Sequence, residues 1–321
     1  MSRCKLKDVV RRMEKLIHLR YLDLSNNDEL TAQVPRTICQ LYNLQTLNLK
    51  WCGLKEIPRE IRNLIDLRHL DLSCNRLKEI PGEIGNLIQL RLLNSRQSFN
   101  VLPQGIGKLT GLRTLRQFYG GRGWRGYLKE LDQLSGLVEL HISLHDRDDM
   151  DEARAARLMN KIHIEELKVF FDIGRIEGEV LRNEVALEAL AALRPPPDLK
   201  RLTIFGYQGT RFPSWISSCL NHVRRLDIRE CNYISILPCL GKLPELEKLS
   251  VWMRKLWWEE WEDTMVGEEE EGSTTVEIMP SLVELEITGC GLTVLPNWLL
   301  RKASSLEILT DMSGVPVFED Y

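Results

Sequence analysis

The sequence lacks most of the features that mark a secreted, membrane-bound or catalytic protein. It has no run of eighteen apolar residues, the length a bilayer-spanning helix needs. Its first twenty residues carry Arg3, Lys5, Lys7, Arg11, Arg12 and Lys15, with no uninterrupted apolar stretch of the kind found in a secretory signal. None of its fourteen asparagines opens an Asn-x-Ser/Thr acceptor. The eight cysteines, at positions 4, 39, 52, 74, 219, 231, 239 and 290, form no Cys-x-x-Cys pair. Neither a disulfide framework nor a zinc site of ordinary spacing is therefore expected, and the expected location is the reducing cytoplasm. An excess of positive charge is missing as well. The 43 basic and 46 acidic residues give a net charge of -3, which argues against a dedicated nucleic-acid binder.

Motifs that carry chemistry are equally scarce. There is no GxxxxGK[ST] and no GxSxG. The single GxGxxG, Gly121 to Gly126, sits between repeats and not between a strand and a helix, so it reads as a surface loop. His141 and His145 lie four apart on a strand and its exit turn, where they do not share a helix face. His163-Ile164-Glu165 opens like a deaminase signature but has no Pro-Cys-x-x-Cys after it. No catalytic residue, cofactor or metal is expected, and the chain is not expected to be an enzyme.

What the sequence does hold is a repeat. The pattern LxxLxLxxN/C is cleanest at Leu44, Leu47, Leu49, Cys52 and at Leu67, Leu70, Leu72, Asn75. Ile57-Pro58 and Ile80-Pro81 follow, then apolar triplets spaced by three, Ile61-Leu64-Leu67 and Ile84-Leu87-Leu90. Alternation with period two predicts a short strand, and period three predicts a helical or 3₁₀ turn leading to the next strand. The first apolar residues of successive strands fall at 19, 44, 67, 90, 112, 137, 164, 199, 223, 246, 282 and 306. Most intervals are 22–27 residues. The long steps to Leu199 and Leu282 hold insertions, and the register there rests on Ile164 and Leu282. The expected fold is an α/β leucine-rich-repeat solenoid, or horseshoe, with a parallel concave sheet and short helical or 3₁₀ convex segments.

Asn27, Cys52, Asn75, Cys231 and Cys290 occupy the ninth place of their repeats. Side chains there point inward and can pair buried turn backbone, so these cysteines have a structural duty. Cys4-x-Leu6-x-x-Val9 aligns with Cys52-x-Leu54-x-x-Ile57, so the array is expected to be cut mid-repeat at its N-terminus. The organisation expected is one domain over residues 1–321 with about twelve repeats. An acidic, tryptophan-rich insertion is expected at 252–281, with Trp257, Trp258 and Trp261 beside eight acids in 259–271.

Residues between the buried leucines of a strand face the concave side. Their first column runs Tyr21, Thr46, His69, Leu92, Thr114, Glu139, Glu166, Arg201, Arg225, Lys248, Glu284. Arg201, Arg225 and Lys248 predict a basic stripe. Phe118, Tyr119, Phe170, Phe171, Phe205 and Trp252 lie further along the strands. Aromatics beside arginines suit interface anchors, so these nine residues form the candidate partner-binding face.

The phrases LRYLDLS, LPQGIGKLTGLRTLRQF, LRPPPDLKRLTIFGYQGTRFPSW and CLGKLPELEKLSV, with WEEW after them, resemble one family closely. They look like the repeat region of plant coiled-coil-class nucleotide-binding leucine-rich-repeat disease-resistance proteins. The resemblance implies a protein-recognition module that reads a pathogen effector or a guarded host protein. It further implies autoinhibitory contact with the nucleotide-binding domain of a parent receptor, with no nucleic-acid or membrane partner. Nothing here matches the coiled coil or the phosphate-binding loop of that family, so nucleotide binding is not carried over. A stand-alone intracellular repeat scaffold is the alternative.

Overall fold

The computed structural model describes residues 13–28, 34–96, 105–116, 128–144, 153–171, 179–234, 237–253, 279–288 and 306–312. Two compact units divide the chain, Met1–Ile164 and Glu165–Tyr321. The N-terminal unit holds β1 (Tyr21–Asp23), β2 (Thr46–Asn48), β3 (His69–Asp71), β4 (Leu92–Asn94), β5 (Thr114–Arg116) and β6 (Glu139–Leu144). The C-terminal unit holds β7 (Glu166–Phe171), β8 (Arg201–Phe205), β9 (Arg225–Arg229), β10 (Lys248–Trp252), β11 (Glu284–Thr288) and β12 (Ile308–Met312). Every strand begins two residues after the apolar residue that opens its repeat. Within each unit consecutive strands pair in parallel and in register.

The leucine spacing dictates this geometry. Leu44, Leu47 and Leu49, like Leu67, Leu70 and Leu72, are fully buried. An isolated repeat would leave them wet on both flanks, and only stacked neighbours remove them from water. Burying each is worth ~1.5–3 kcal/mol, so stacking is strongly driven. The return path is a 3₁₀ turn, as at Arg59–Asn63 and Gly82–Asn86. Its three-residue period turns Ile61, Leu64 and Leu67 to the same buried side. Pro58 and Pro81 stand just before these turns in extended backbone, where a missing N–H costs nothing. The turns of adjacent repeats pack closely: a Cβ on Gly85 would lie 2.7 Å from the Gly105 carbonyl oxygen.

The long step from Ile164 to Leu199 is explained by α1 (Glu179–Ala192), a helix of 14 residues in place of a 3₁₀ turn. It buries Val185, Ala186, Ala189 and Leu190. Trp215, which opens the short α2 (Trp215–Ser218), is buried and donates its indole N–H to Leu190 O at 3.2 Å. Among the described residues no helix is long and apolar enough to cross a membrane.

Place nine closes the inner turn. Asn75 Oδ1 accepts the N–H groups of Cys52 (3.0 Å) and Leu54 (3.1 Å) in the preceding repeat. Its Nδ2 donates back to Leu49 O and to Leu72 O, each at 2.8 Å. Cys52 repeats the pattern one step earlier, its thiol donating to Leu24 O at 3.0 Å. Burial pushes the Cys52 thiol up to about 11 and that of Cys231 up to about 12, so both stay protonated donors. Asn27 donates to Leu24 O at 2.8 Å. In the eighth repeat the place belongs to Tyr207, fully buried, whose hydroxyl donates to Arg211 O at 2.7 Å. Cys290, the N-terminal half-repeat and most of the acidic insertion lie outside the described residues.

Replacing Asn75 by alanine would strand the buried N–H groups of Cys52 and Leu54, at ~1–3 kcal/mol for each, and remove the bonds to Leu49 O and Leu72 O. Asn75→Ala is expected to lower the unfolding free energy by at least ~3 kcal/mol, read from the urea midpoint, and Asn75→Cys by clearly less. Equal losses in the two variants would show that the side-chain hydrogen bonds are not the cause.

Candidate protein-interaction face

Strand alternation places the third, fifth and seventh residues of each repeat on the open face of its sheet and the fourth and sixth in the core. In the C-terminal unit the first row is Glu166, Arg201, Arg225, Lys248, Glu284, each register-paired with the next. The seventh-place row is Phe170, Phe205, Arg229, Trp252, Thr288, all half-buried. The expected basic stripe therefore exists as three neighbours on adjacent strands, with acids at both ends.

Those acids change its character. Arg201 pairs with Glu166 at 2.7 Å, and Lys248 reaches Glu284 at 2.8 Å and Glu286 at 3.2 Å. Arg225, between them, is exposed and has no ion pair among the described residues. Burial pushes the Lys248 ammonium down, but hydrogen bonds to Glu284 and Glu286 outweigh it and raise it above 10.5. Glu286 is the mirror case. Burial pushes it up, yet the 2.6 Å hydrogen bond from Ser250 and the Lys248 charge hold it below 4.5.

The aromatic predictions separate under the same geometry. Phe170 and Phe205 stand side by side with ring centroids 5.8 Å apart, and Trp252 lies two strands beyond Phe205. Phe171 is corrected: it is one residue out of phase with the row and only 5% exposed. Its ring meets Tyr207 edge-on at 5.1 Å, and Tyr207 stacks on Phe212 at 5.2 Å. It is core, not surface. Phe118, Tyr119 and the Gly121–Gly126 loop lie outside the described residues. Gly206, beside this cluster, has φ +69, and a Cβ there would lie 2.6 Å from Phe171 O. Only glycine fits that approach.

Arg229 was not among the predicted residues. It shares the seventh place with Phe205 and Trp252 and pairs with Asp227 at 3.4 Å. Reading that column in full, and not for aromatics alone, would have found it.

The open face of the N-terminal unit is different. Asn48 Nδ2 donates to Asp23 Oδ2 at 3.1 Å, and Asn94 Nδ2 to Asp71 Oδ2 at 2.9 Å. The other oxygens accept the N–H two residues on, at Ser25 and Ser73, both 2.8 Å. These side chains are consumed by their own backbone. Further along, Arg116 clasps Glu139 through two bonds of 2.7 and 2.8 Å. Burial would raise Glu139, but His141 and Arg116 bring it down to about 2.

A carboxyl held below its unfolded value binds its proton less tightly when folded. The stabilisation by Glu286 is thus complete above 4.5, the unfolded value, and is lost as pH falls through the depressed folded value. The difference in unfolding free energy between the parent chain and Glu286→Gln is expected to be largest near neutrality and to shrink below about pH 4.5. A difference that stays constant from about pH 3 to 7 would contradict the Lys248–Glu286 pairing.

Comparison with known proteins agrees with this construction. Residues 35–271 match the family model of the leucine-rich repeat region, and residues 15–33 match a single leucine-rich repeat. The chain is 36% identical over 151 residues to RGA4 of Solanum bulbocastanum, covering 46% of this chain and 15% of the relative. It is 39% identical over 258 residues to At3g14460 of Arabidopsis thaliana, covering 78% of this chain and 16% of the relative. Both relatives carry disease-resistance names. The chain spans about 15% of the length of the first curated relatives it matches. Among solved structures, a leucine-rich-repeat protein of Leptospira interrogans matches with TM-score 0.55 and 23% identity, covering 92% of this chain and 62% of that one. The PEPR1–AtPEP1 structure matches with TM-score 0.50 and 21% identity, over 94% of this chain and 43% of that one. At such identities the likeness is one of fold. The chain belongs to the leucine-rich-repeat family and is similar in sequence to the repeat region of plant nucleotide-binding disease-resistance proteins.

Proposed function

We propose that the chain is a protein-recognition module of plant defence, and that the open face of its C-terminal unit binds the partner. The single observation that carries this reading is Arg225. It is an exposed guanidinium with no ion pair among the described residues, set between two bases that are already paired. Four residues further along the strands runs the half-buried row Phe170, Phe205, Arg229, Trp252, in which Arg229 itself stands between two aromatics. A cation beside rigid aromatics is the composition of interface anchors, which gain most when water is excluded around them. The two rows lie four residues apart along one strand, so one carboxylate and one apolar side chain of a partner can engage both.

The disease-resistance relatives support a pathogen effector or a guarded host protein as the partner. They also support a second role, autoinhibitory contact with the nucleotide-binding domain of a parent receptor in the cytoplasm. In this reading residues 1–321 act as one array of about twelve repeats, with 252–281 as an acidic, tryptophan-rich insertion.

The test is co-purification from challenged plant tissue with parent and variant chains as bait. Arg225→Ala and Trp252→Ala are each expected to lower affinity for a recovered partner by about tenfold, ~1.4 kcal/mol. Arg201→Ala, whose charge is already spent on Glu166, is expected to cost less than about threefold. Equal recovery by all three variants would remove this face from the binding site.

A further inference from the structure

In the C-terminal unit the fifth place, between the two rows, is filled by short side chains. On β8, β9 and β10 it holds Thr203, Asp227 and Ser250, register-paired in that order. The third place on these strands holds Arg201, Arg225 and Lys248, and the seventh holds Phe205, Arg229 and Trp252. Long side chains thus stand on both sides of short ones, leaving a trough that crosses three strands. Its walls are four residues apart along each strand, ~13 Å. At its two ends the fifth place passes to longer side chains, Lys168 of β7 and Glu286 of β11.

The floor is polar, and its centre is loosely held. Ser250 is 4% exposed and gives its proton to Glu286 at 2.6 Å, so it offers a partner nothing. Asp227 is half-buried, and among the described residues its oxygens are met by Arg229 Nη2 and Thr203 Oγ1, both at 3.4 Å. Both contacts are longer than the ~2.5–3.2 Å of a well-formed bond. A carboxylate can accept about four hydrogen bonds, so Asp227 has spare capacity for an N–H donor laid over the floor. One wall offers the open charge of Arg225, and the other offers Phe205 and Trp252 on either side of Arg229.

We propose, on the reading that this face binds the partner, that the trough takes an extended segment of a protein, apolar–acidic–apolar at its centre. The floor decides the conformation. A helix pairs its own backbone N–H groups and has no use for an acceptor beneath it. An extended segment brings bare N–H groups that lose water on docking and need one, and Asp227 supplies it. The walls decide the sequence. Side chains of an extended segment point alternately to opposite sides, so a chain crossing the strands over the floor sends them to opposite walls. The acidic one, above β9, meets Arg225. Its two neighbours point the other way, pack on Phe205 and Trp252, and cover the flat face of the Arg229 guanidinium. Those neighbours lie ~6.6 Å apart, while Phe205 and Trp252 stand two strands, ~9.6 Å, apart, a difference that large apolar side chains span.

The probe is a fluorescent peptide, Ser-Gly-Phe-Glu-Phe-Gly-Ser, with acetylated and amidated ends that carry no charge. It is titrated with the whole chain by anisotropy. Saturable binding is expected, weakened at least about tenfold, ~1.4 kcal/mol, by Arg225→Ala or by glutamine in place of the peptide's glutamate. The two changes together should cost little more than either alone. Methylating the glutamate's amide nitrogen removes the donor, and should weaken binding at least about fivefold with the parent chain but less than about twofold with Asp227→Ala. Circular dichroism verifies that each variant folds. Absence of saturable binding, equal affinity of the N-methylated peptide for the parent chain, or tighter binding by the same three side chains on a stapled helix would overturn the extended mode. A recovered partner whose affinity still falls with Arg225→Ala and Trp252→Ala would then keep the face as the binding site, and equal recovery would remove both. Dimers in sedimentation that Arg225→Ala dissolves, without peptide binding, would instead give the trough to a second copy of the chain.

Discussion

In the repeats whose ninth place is described, the chain turns sharply at the inner end of the strand, and that turn buries backbone N–H and C=O groups beyond the reach of water. They must be paired inside the protein, and the ninth side chain does it. Asn75 is the full case: it accepts two amides of the repeat before it and donates to that repeat and its own. The bond is therefore both a local cap and a joint between neighbours. Cysteine does the same with a single donor, and Tyr207 fills the place by bulk and a longer reach. With the joint fixed, the strands have no freedom to slip. A slip of one residue would send every leucine to solvent.

A fixed register is what turns scattered sequence positions into rows. Arg201, Arg225 and Lys248 are 24 and 23 residues apart in sequence and adjacent in the sheet. The same logic aligns Phe170 with Phe205. Yet neighbouring rows have different fates. In the N-terminal unit Asp23, Asn48, Asp71 and Asn94 spend their side chains on one another and on local backbone. In the C-terminal unit the ends of the basic row are neutralised and its middle is not. In the proposed reading, function is carried by Arg225, which the pairing among the described residues leaves open.

The repeat starts were legible because leucine period and turn residues are local signals, strong enough to hold through the insertions before Leu199 and Leu282. The third-place row was legible for the same reason. Pairing was not. That Glu166 neutralises Arg201 while Arg225 stays open depends on side-chain reach across strands, which spacing does not encode. Phe171 misled because two aromatics in succession cannot both face outward, and alternation sends the second one in. Tyr207 was hidden because a tyrosine departs from the asparagine-or-cysteine pattern of the ninth place. Its partners Phe171 and Phe212 come together only once Gly206 turns the chain with positive φ. The helix α1 was hidden in a long interval whose composition, rich in alanine and leucine, fits either a helix or a stretched connection.

The most direct test of the joint is amide hydrogen exchange at Cys52 and Leu54, whose N–H groups are both held by a side chain of the following repeat. If that bond couples repeats, these amides exchange as slowly as those of β2 and β3, and through the same cooperative opening. Fast exchange at Cys52 and Leu54 while the strands on either side stay protected would contradict it, and would mean that apolar stacking alone sets the register.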